Sequence, residues 1–529
     1  MKVTRWAALG AVVGFALSSG DMPRAHAGGL FIPGAGPQAQ SRGGAFVAKA
    51  DDPTALFHNP AGFAKGSGTI IQIGANFVDM SLEYQKAGTY KVPLGETLSY
   101  GGTPYAMVAD DSKPTIGVGG FQALPVIAVS TDFGLAKKGI PIRFGLGLVA
   151  PQAFPQRDFQ AGYQFEADIN QPPPPQRYDT VKQKASAIMP SLAVAYRAMP
   201  NLDIGARFSS GIAELEGHTH SWGIANYAGW IGRDSEFKVK TKDSFVPQWG
   251  IGMLYRVTPN IELGAAYSSQ ADIKARGTGS SNLGSDLGTG PDMPATVVPN
   301  NDTPRCAPGG TSMTDLKACV NFTLPQMATF GARYILRDAR GGERADVEFD
   351  VRWENWKAAD TIHVIVDGIS LPSGRFLEPT RIRNGAQDVY SFRLGGSYTM
   401  PVGKNSLQFR AGAAYDTKTS PVSWSRLNFD GKPRTTLAGG LALTVGKYRF
   451  EFGGGVVLQP DRTVADDCNP TISDGGCQGN GIDTDEQDRT RPDPIQPTSG
   501  ALNQLEAPFN AGEYKSGYVL LHLAVTTKF

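Results

Sequence analysis

Beyond the first 27 residues, the groups able to do bond-making chemistry are few: His58, His218, His220, His363 and His522, with Cys306, Cys319, Cys468 and Cys477. A serine or cysteine nucleophile needs a nearby base and a group that orients it, and one common nucleophile turn reads Gly-x-Ser-x-Gly. No such pentapeptide occurs, so an enzyme is not expected. The pair in "HTHSW", His218 and His220, is either adventitious or a metal contact. The cysteines have neither zinc-site spacing nor a histidine close by. The acidic run Asp483, Asp485, Glu486 and Asp488 lacks the spacing and internal glycine of a calcium loop and reads as solvated surface. The expectation is therefore no cofactor and no metal.

What remains is charge held in unusual places. Lys and Arg number 50 against 49 Asp and Glu, a net charge of +1 that points to neither nucleic acid nor an acidic substrate. Yet Arg207, Arg333, Arg393 and Arg410 each fall on the polar face of a segment whose other face is apolar. In "ADVEFDVRWENW", Val347, Phe349, Val351 and Trp353 alternate with Asp346, Glu348, Asp350, Arg352 and Glu354. "SLQFRAGAAY" and "YRFEF" split in the same way. Each reads as a strand with one apolar and one strongly polar face.

The elements that must carry these residues can be counted. Strands are expected at about 68–78, 122–133, 140–150, 184–198, 200–212, 243–257, 260–270, 325–337, 343–356, 386–399, 404–416, 434–445, 446–457 and 513–528. The hairpin motif "YRAMPNLDIGARFSS" at Tyr196 returns as "YRVTPNIELGAAYSS" at Tyr255, each with a Pro-Asn turn. Short turns alternate with long connections throughout. An even strand count with this alternation is the pattern of a transmembrane barrel, which at this strand number would be roughly 28 Å across. The fold class is all-β, with 68–529 as the barrel. A mean hydropathy of −0.22 suits such a wall, whose lipid-facing residues are only every second one.

Lys2 and Arg5, the apolar run from Trp6 to Leu17 and the ending Ala25-His26-Ala27 form the pattern of a cleaved signal peptide over 1–27. The run is too short to span a bilayer of about 30 Å, and no other stretch is long and apolar enough to do so as a helix. In an exported chain the cysteines read as two local disulfides, Cys306–Cys319 and Cys468–Cys477, within separate Gly/Pro/Asp-rich loops. Four cysteines allow three pairings.

Residues 28–67 have no strand pattern. In "ADDPTALFHNPAGFA", Asp51 and Asp52 can cap a helix, Pro53 suits its first turn, and Pro60 stops it. The lumen is the place where Leu30, Phe31, Phe46, Leu56 and Phe57 could be buried close to the first strand, so the segment reads as a plug. Here "SRGGAFVAKADDPTALFHNPAGFA" resembles the amino-terminal signature of the FadL-type long-chain fatty acid transporter family of Gram-negative outer membranes. Asn59-Pro60-Ala61, followed by Gly62, matches its Asn-Pro-Ala element, and Asp51-Asp52 its acidic pair. "APQAFP", "PSLAVAYR", "VRWENWK" and "FRAGAAYDTKTSP" extend the likeness.

The resemblance implies a fourteen-stranded barrel with an amino-terminal hatch, capture of a hydrophobic ligand between the third and fourth loops, and lateral exit at a kinked third strand. Matching parts are present. Pro125 interrupts the second strand, and the third carries Gly145, Gly147 and Pro151, so pairing should be poorest there. In the third loop, 213–242, Trp222, Ile224, Tyr227, Trp230 and Ile231 form an apolar cluster, either a landing site or a loop core. The fourth loop, 271–324, departs from the family by its Gly, Ser, Asp and Pro content. The expected function is passive uptake of long-chain fatty acids or similar hydrophobic molecules by a monomer among outer-membrane lipid and lipopolysaccharide. The alternatives are an aromatic-hydrocarbon channel of the same family and a general diffusion porin.

Overall fold

The computed structural model describes residues 34–90, 97–114, 116–149, 156–159, 170–222, 234–283, 296–297, 316–367, 369–370, 380–428, 431–464 and 510–529. The expected signal peptide, with Leu30 and Phe31, lies outside them. So do Pro151, Ile224, Tyr227, Trp230, Ile231, Cys306, Cys468, Cys477 and the acidic run at 483–488.

Fourteen strands close a ring. They are β1 (Thr69–Lys86), β2 (Phe121–Thr131), β3 (Ile142–Val149), β4 (Lys182–Met199), β5 (Leu202–Trp222), β6 (Asp234–Thr258) and β7 (Ile261–Ser268). The second half holds β8 (Met327–Arg337), β9 (Glu343–Glu354), β10 (Val389–Val402), β11 (Asn405–Asp416), β12 (Arg434–Val445), β13 (Tyr448–Leu458) and β14 (Gly512–Lys528). Each pairs antiparallel with its neighbours in sequence. β1 pairs β14 from Ile70↔Lys528 to Lys86↔Gly512, which leaves no free edge. At that seam Phe529 N donates to Thr69 O at 2.8 Å.

The alternation seen in the sequence sorts the two faces of the wall. On β9, Phe349 is 48% exposed and Val347 similar, while Glu348 and Asp350, which alternate with them, are 0% exposed. On β10, Phe392 and Leu394 face out, and Ser391 and Arg393 face in. Apolar residues thus clothe the outside and polar ones the inside, the reverse of a soluble core and the arrangement a lipid solvent favours. No described helix is long and apolar enough to cross a membrane, so the strands must do so.

Three expectations are corrected. The expected third and fourth loops are largely strand. β5 and β6 continue pairing to Trp222↔Asp234, and Ala271–Leu283 then pairs the far half of β6 and, on its other side, Leu316–Leu324. The β5–β6 extension keeps the alternation, with Ala213 and Leu215 against Glu214 and Glu216, and Phe237 and Val239 against Lys238 and Lys240. Its charges pair across strands: Glu214 with Lys242 at 2.7 Å and Glu216 with Lys240 at 2.8 Å. Second, Pro125 does not break β2, which runs through it opposite Ala75 of β1. Third, neither Asp51 nor Asp52 caps the short helix α2 (Ala55–His58), whose N-cap is Thr54. Asp52 Oδ1 instead accepts from Thr54 N at 2.7 Å. An earlier helix, α1 (Pro37–Ser41), was not foreseen.

Candidate functional site

The segment from Gly34 to Gly66 meets the polar face of strands in both halves of the ring. Its main anchors are two carboxylates of β9. Asp350 Oδ2 accepts from Phe46 N at 2.8 Å and Val47 N at 3.1 Å. Glu348 accepts from Ala48 N at 2.7 Å and Lys49 N at 3.1 Å. Arg42, fully buried, reaches Asp346 at 2.8 Å and Glu348 at 3.1 Å. Lys49 bridges Glu343 at 2.6 Å and Asp51 at 3.1 Å, and Lys65 pairs with Glu262 of β7 at 2.7 Å. Charge-assisted bonds to backbone amides are among the stronger hydrogen bonds, and here four serve one short stretch.

The Asn-Pro break performs a defined task. Pro60 stops α2, Asn59 takes extended backbone, and a 3-10 helix follows from Pro60 to Lys65. Buried Asn59 caps that helix through Oδ1 to Ala61 N at 3.1 Å. Its Nδ2 donates to Val47 O at 2.8 Å and to Met253 O of β6 at 3.0 Å, tying turn, segment and wall together. Pro60, Ala61 and Gly62 are buried. A Cβ on Gly62 would stand 2.0 Å from Ala50 O.

The wall accepts this segment through inward-facing glycines. A Cβ on Gly252 would fall 2.0 Å from Asn59 Oδ1, one on Gly264 2.5 Å from Val47 O, and one on Gly412 2.0 Å from the Arg42 carbonyl carbon. Gly145 and Gly147 belong to the same group: a Cβ there would lie 2.2 Å from the Phe63 ring and 2.5 Å from Leu56. Both stand in continuous strand. Their glycine identity is thus explained by close approach rather than by a break in β3. Among the described residues the β2–β3 ladder runs from Val126↔Val149 to Thr131↔Phe144, and Pro125 is the next β2 residue.

The four expected lumen arginines are all buried, and they divide. Arg333 is compensated by Glu262 at 2.8 Å and Asp346 at 2.9 Å, and Arg410 by Glu451 at 2.6 Å. Among the described residues Arg207 has only neutral partners, Gln248 at 2.9 Å and Ser268 at 3.2 Å. Arg393, 1% exposed, makes no hydrogen bond or ion pair among the described residues, and its Nε and Nη1 are unsatisfied. It stands opposite Asp350 in the ladder, whose Oδ2 is taken by the amides of Phe46 and Val47.

Within the segment, His58 Nε2 lies 3.0 Å from Ala35 N. Burial, with Arg352, Arg393 and Arg207 acting in the same direction, lowers its pKa to about 3 despite the bond to Ala35. Asp52 is raised to about 7 by burial and by Glu451 and Asp51. Asp51 goes the other way, because Lys49, Arg333 and Lys65 outweigh its burial.

Trp222 ends β5, and the rest of the expected capture cluster lies outside the described residues. Cys319 is disulfide-bonded. Sequence reading missed Arg42, Lys49 and Lys65 as anchors, and Glu348, Glu343 and Glu262 as their respective partners. The signal available was Gly at inward positions of otherwise regular strands.

Comparison with known proteins follows this geometry. The family described as "Outer membrane protein transport protein (OMPP1/FadL/TodX)" matches residues 25–428. Among solved structures, a Pseudomonas aeruginosa FadL homologue is similar at a TM-score of 0.66 and 16% identity, covering 95% of this chain and 100% of the other. The Ralstonia pickettii toluene transporter TbuX follows at 0.58 and 15%, covering 94% and 99%. The Pseudomonas putida toluene transporter TodX stands at 0.58 and 13%, with the same coverage. Comparison with curated proteins finds no match. At these identities the structures speak for the fold, and the family match speaks for descent: this chain belongs to the outer membrane transport proteins of the OMPP1/FadL/TodX family.

Proposed function

We propose that the protein takes up long-chain fatty acids, or amphiphiles like them, through the outer membrane and down their gradient, after export by a cleaved signal peptide. Residues 28–67 act as a hatch across the lumen. Its contacts reach β3, β6, β7, β9, β11 and β13, strands on both halves of the ring, which a leader lying outside the wall would not do. A general diffusion porin has no use for such a segment.

The observation that carries the fatty-acid reading is Arg393. A buried guanidinium without a partner among the described residues is costly unless something else supplies the anion, and a carboxylate headgroup would. A neutral arene, the substrate class named for TbuX and TodX, gains nothing from it. Ligand would enter past the Trp222 to Trp230 region and leave sideways near Pro125 and β3, the route the family resemblance implies. Lateral exit keeps apolar area out of the periplasm, worth about 25 cal/mol per Å².

The test is Arg393→Met in cells given labelled long-chain fatty acid or labelled toluene. A lost charged hydrogen bond of about 1.5–3 kcal/mol corresponds to roughly a tenfold or greater drop in fatty-acid affinity, with toluene uptake unchanged. Equal uptake of both by variant and parent would remove the carboxylate role. Toluene as the sole substrate would establish the aromatic alternative.

A further inference from the structure

The β5–β6 extension contains a cluster that the transport reading does not use. His218 and His220 are two residues apart on β5 and so share a face, and Glu236 of β6 stands opposite His220 in the ladder. All three are buried, and one potential ligand atom from each lies within 4.8 Å of the others. His218 Nε2 comes to 2.7 Å from Glu236 Oε1, so the imidazole and the carboxylate already face each other.

The surroundings hold the donors in place. Asn282 Nδ2 donates to Glu236 Oε2 at 2.8 Å. Asp234, neutralised by Arg177 at 2.7 Å and by the Tyr178 hydroxyl at 2.7 Å, lies 3.9 Å from His220 Nδ1, where it can orient the ring. His220 N is fixed to Arg177 O at 2.8 Å. Lys238 touches Glu236 Oε1 at 3.0 Å, but its side chain is 48% exposed and can give way to water.

We propose that His218, His220 and Glu236 bind one divalent transition-metal ion of the zinc class. Two imidazoles and one carboxylate form a recognised zinc donor set with a fourth position for water, and imidazole donors select against calcium and magnesium. The ion would bolt β5 to β6 just before residues 223–233, holding in place the end of the hairpin that carries Trp222.

The experiment uses the full-length mature protein in detergent, stripped with chelator. Zinc binding is followed by calorimetry and cobalt binding by visible absorption. The parent should bind one ion per chain, with the cobalt spectrum of a four-coordinate nitrogen and oxygen site. His218→Ala and Glu236→Gln should each weaken binding by at least about tenfold, whereas His363→Ala, at an exposed position, should not. Heat-modifiable gel migration reports whether each barrel is folded, and Glu236→Gln keeps shape and hydrogen bonding should His218→Ala fail to fold. No stoichiometric binding by the parent, or binding that both cluster variants retain, would overturn the site and leave a plain His-Glu contact.

Discussion

Asp52 accepts from Thr54 with one carboxylate oxygen and buries the other without a partner. Its pKa is therefore raised to about 7, against about 4 for an ordinary aspartate. A raised folded pKa means that the folded form holds the proton more tightly than the unfolded form. The stabilising contribution is complete below about pH 4 and disappears as pH rises through about 7. Hydrogen exchange of amides 46–66 should accordingly be faster at pH 8 than at pH 5, beyond the intrinsic base catalysis, and Asp52→Asn should abolish that excess. An excess that persists in the variant would place the titrating group elsewhere. His58, lowered to about 3 by burial, acts in the opposite sense: the unfolded chain takes up a proton there below about 6.5 while the folded one does not. Its contribution therefore falls at pH 5 and is unchanged in Asp52→Asn, which isolates the Asp52 part.

At the scale of elements, the amino-terminal segment and the wall are fitted by shape as well as by charge. Gly412 of β11 admits the backbone of Arg42, and any Cβ there meets atoms that cannot rotate away. Gly412→Ala should displace the segment at a cost of about 1–3 kcal/mol, seen as faster proteolysis within 34–67 and larger single-channel conductance. Gly439→Ala of β12, whose Cβ would meet only Arg410 O at 3.5 Å, is the matched control and should change neither. Equal behaviour of the two variants would mean that the segment is not seated by this contact. The same reasoning revises what a substitution at Gly145 would do. A valine there would strike Phe63 before it could straighten β3, so lost transport would report on the seating of the amino-terminal segment rather than on the proposed exit.

For the whole molecule, the solvent inverts the usual order of faces. Phe349 and its outward neighbours are stable only because hydrocarbon surrounds them, and Glu348 and Asp350 only because the ring encloses their partners. Phe349→Arg should lower barrel stability in vesicles by about 2–4 kcal/mol if it sits near the bilayer centre, measured by urea unfolding. Val402→Arg, at the turn end of β10, should cost about 0–1 kcal/mol. Equal costs at the two positions would contradict the membrane placement of this wall.

The strands, their order and the face each residue takes were determined by the sequence alone, since period-two alternation and Pro-Asn turns are local properties. "ADVEFDVRWENW" states which residues of β9 face out without reference to any other part of the chain. The far half of the β5–β6 hairpin is legible in the same way, Leu215, Phe237 and Val239 alternating with Glu214, Glu216, Lys238 and Lys240, but it reads as loop because it lies beyond the length a membrane strand needs. Only the tertiary structure decided what the inward residues do. Asp350 and Arg393 look alike as lumen charges in the sequence, yet the first accepts amides 304 and 303 positions away and the second is left without a partner among the described residues. Gly252, Gly264 and Gly412 read as weak points in strands until Asn59, Val47 and Arg42 arrive against them. Pairings across several hundred residues depend on ring closure, which sets which strand faces which stretch of the amino-terminal segment, and no local pattern encodes that.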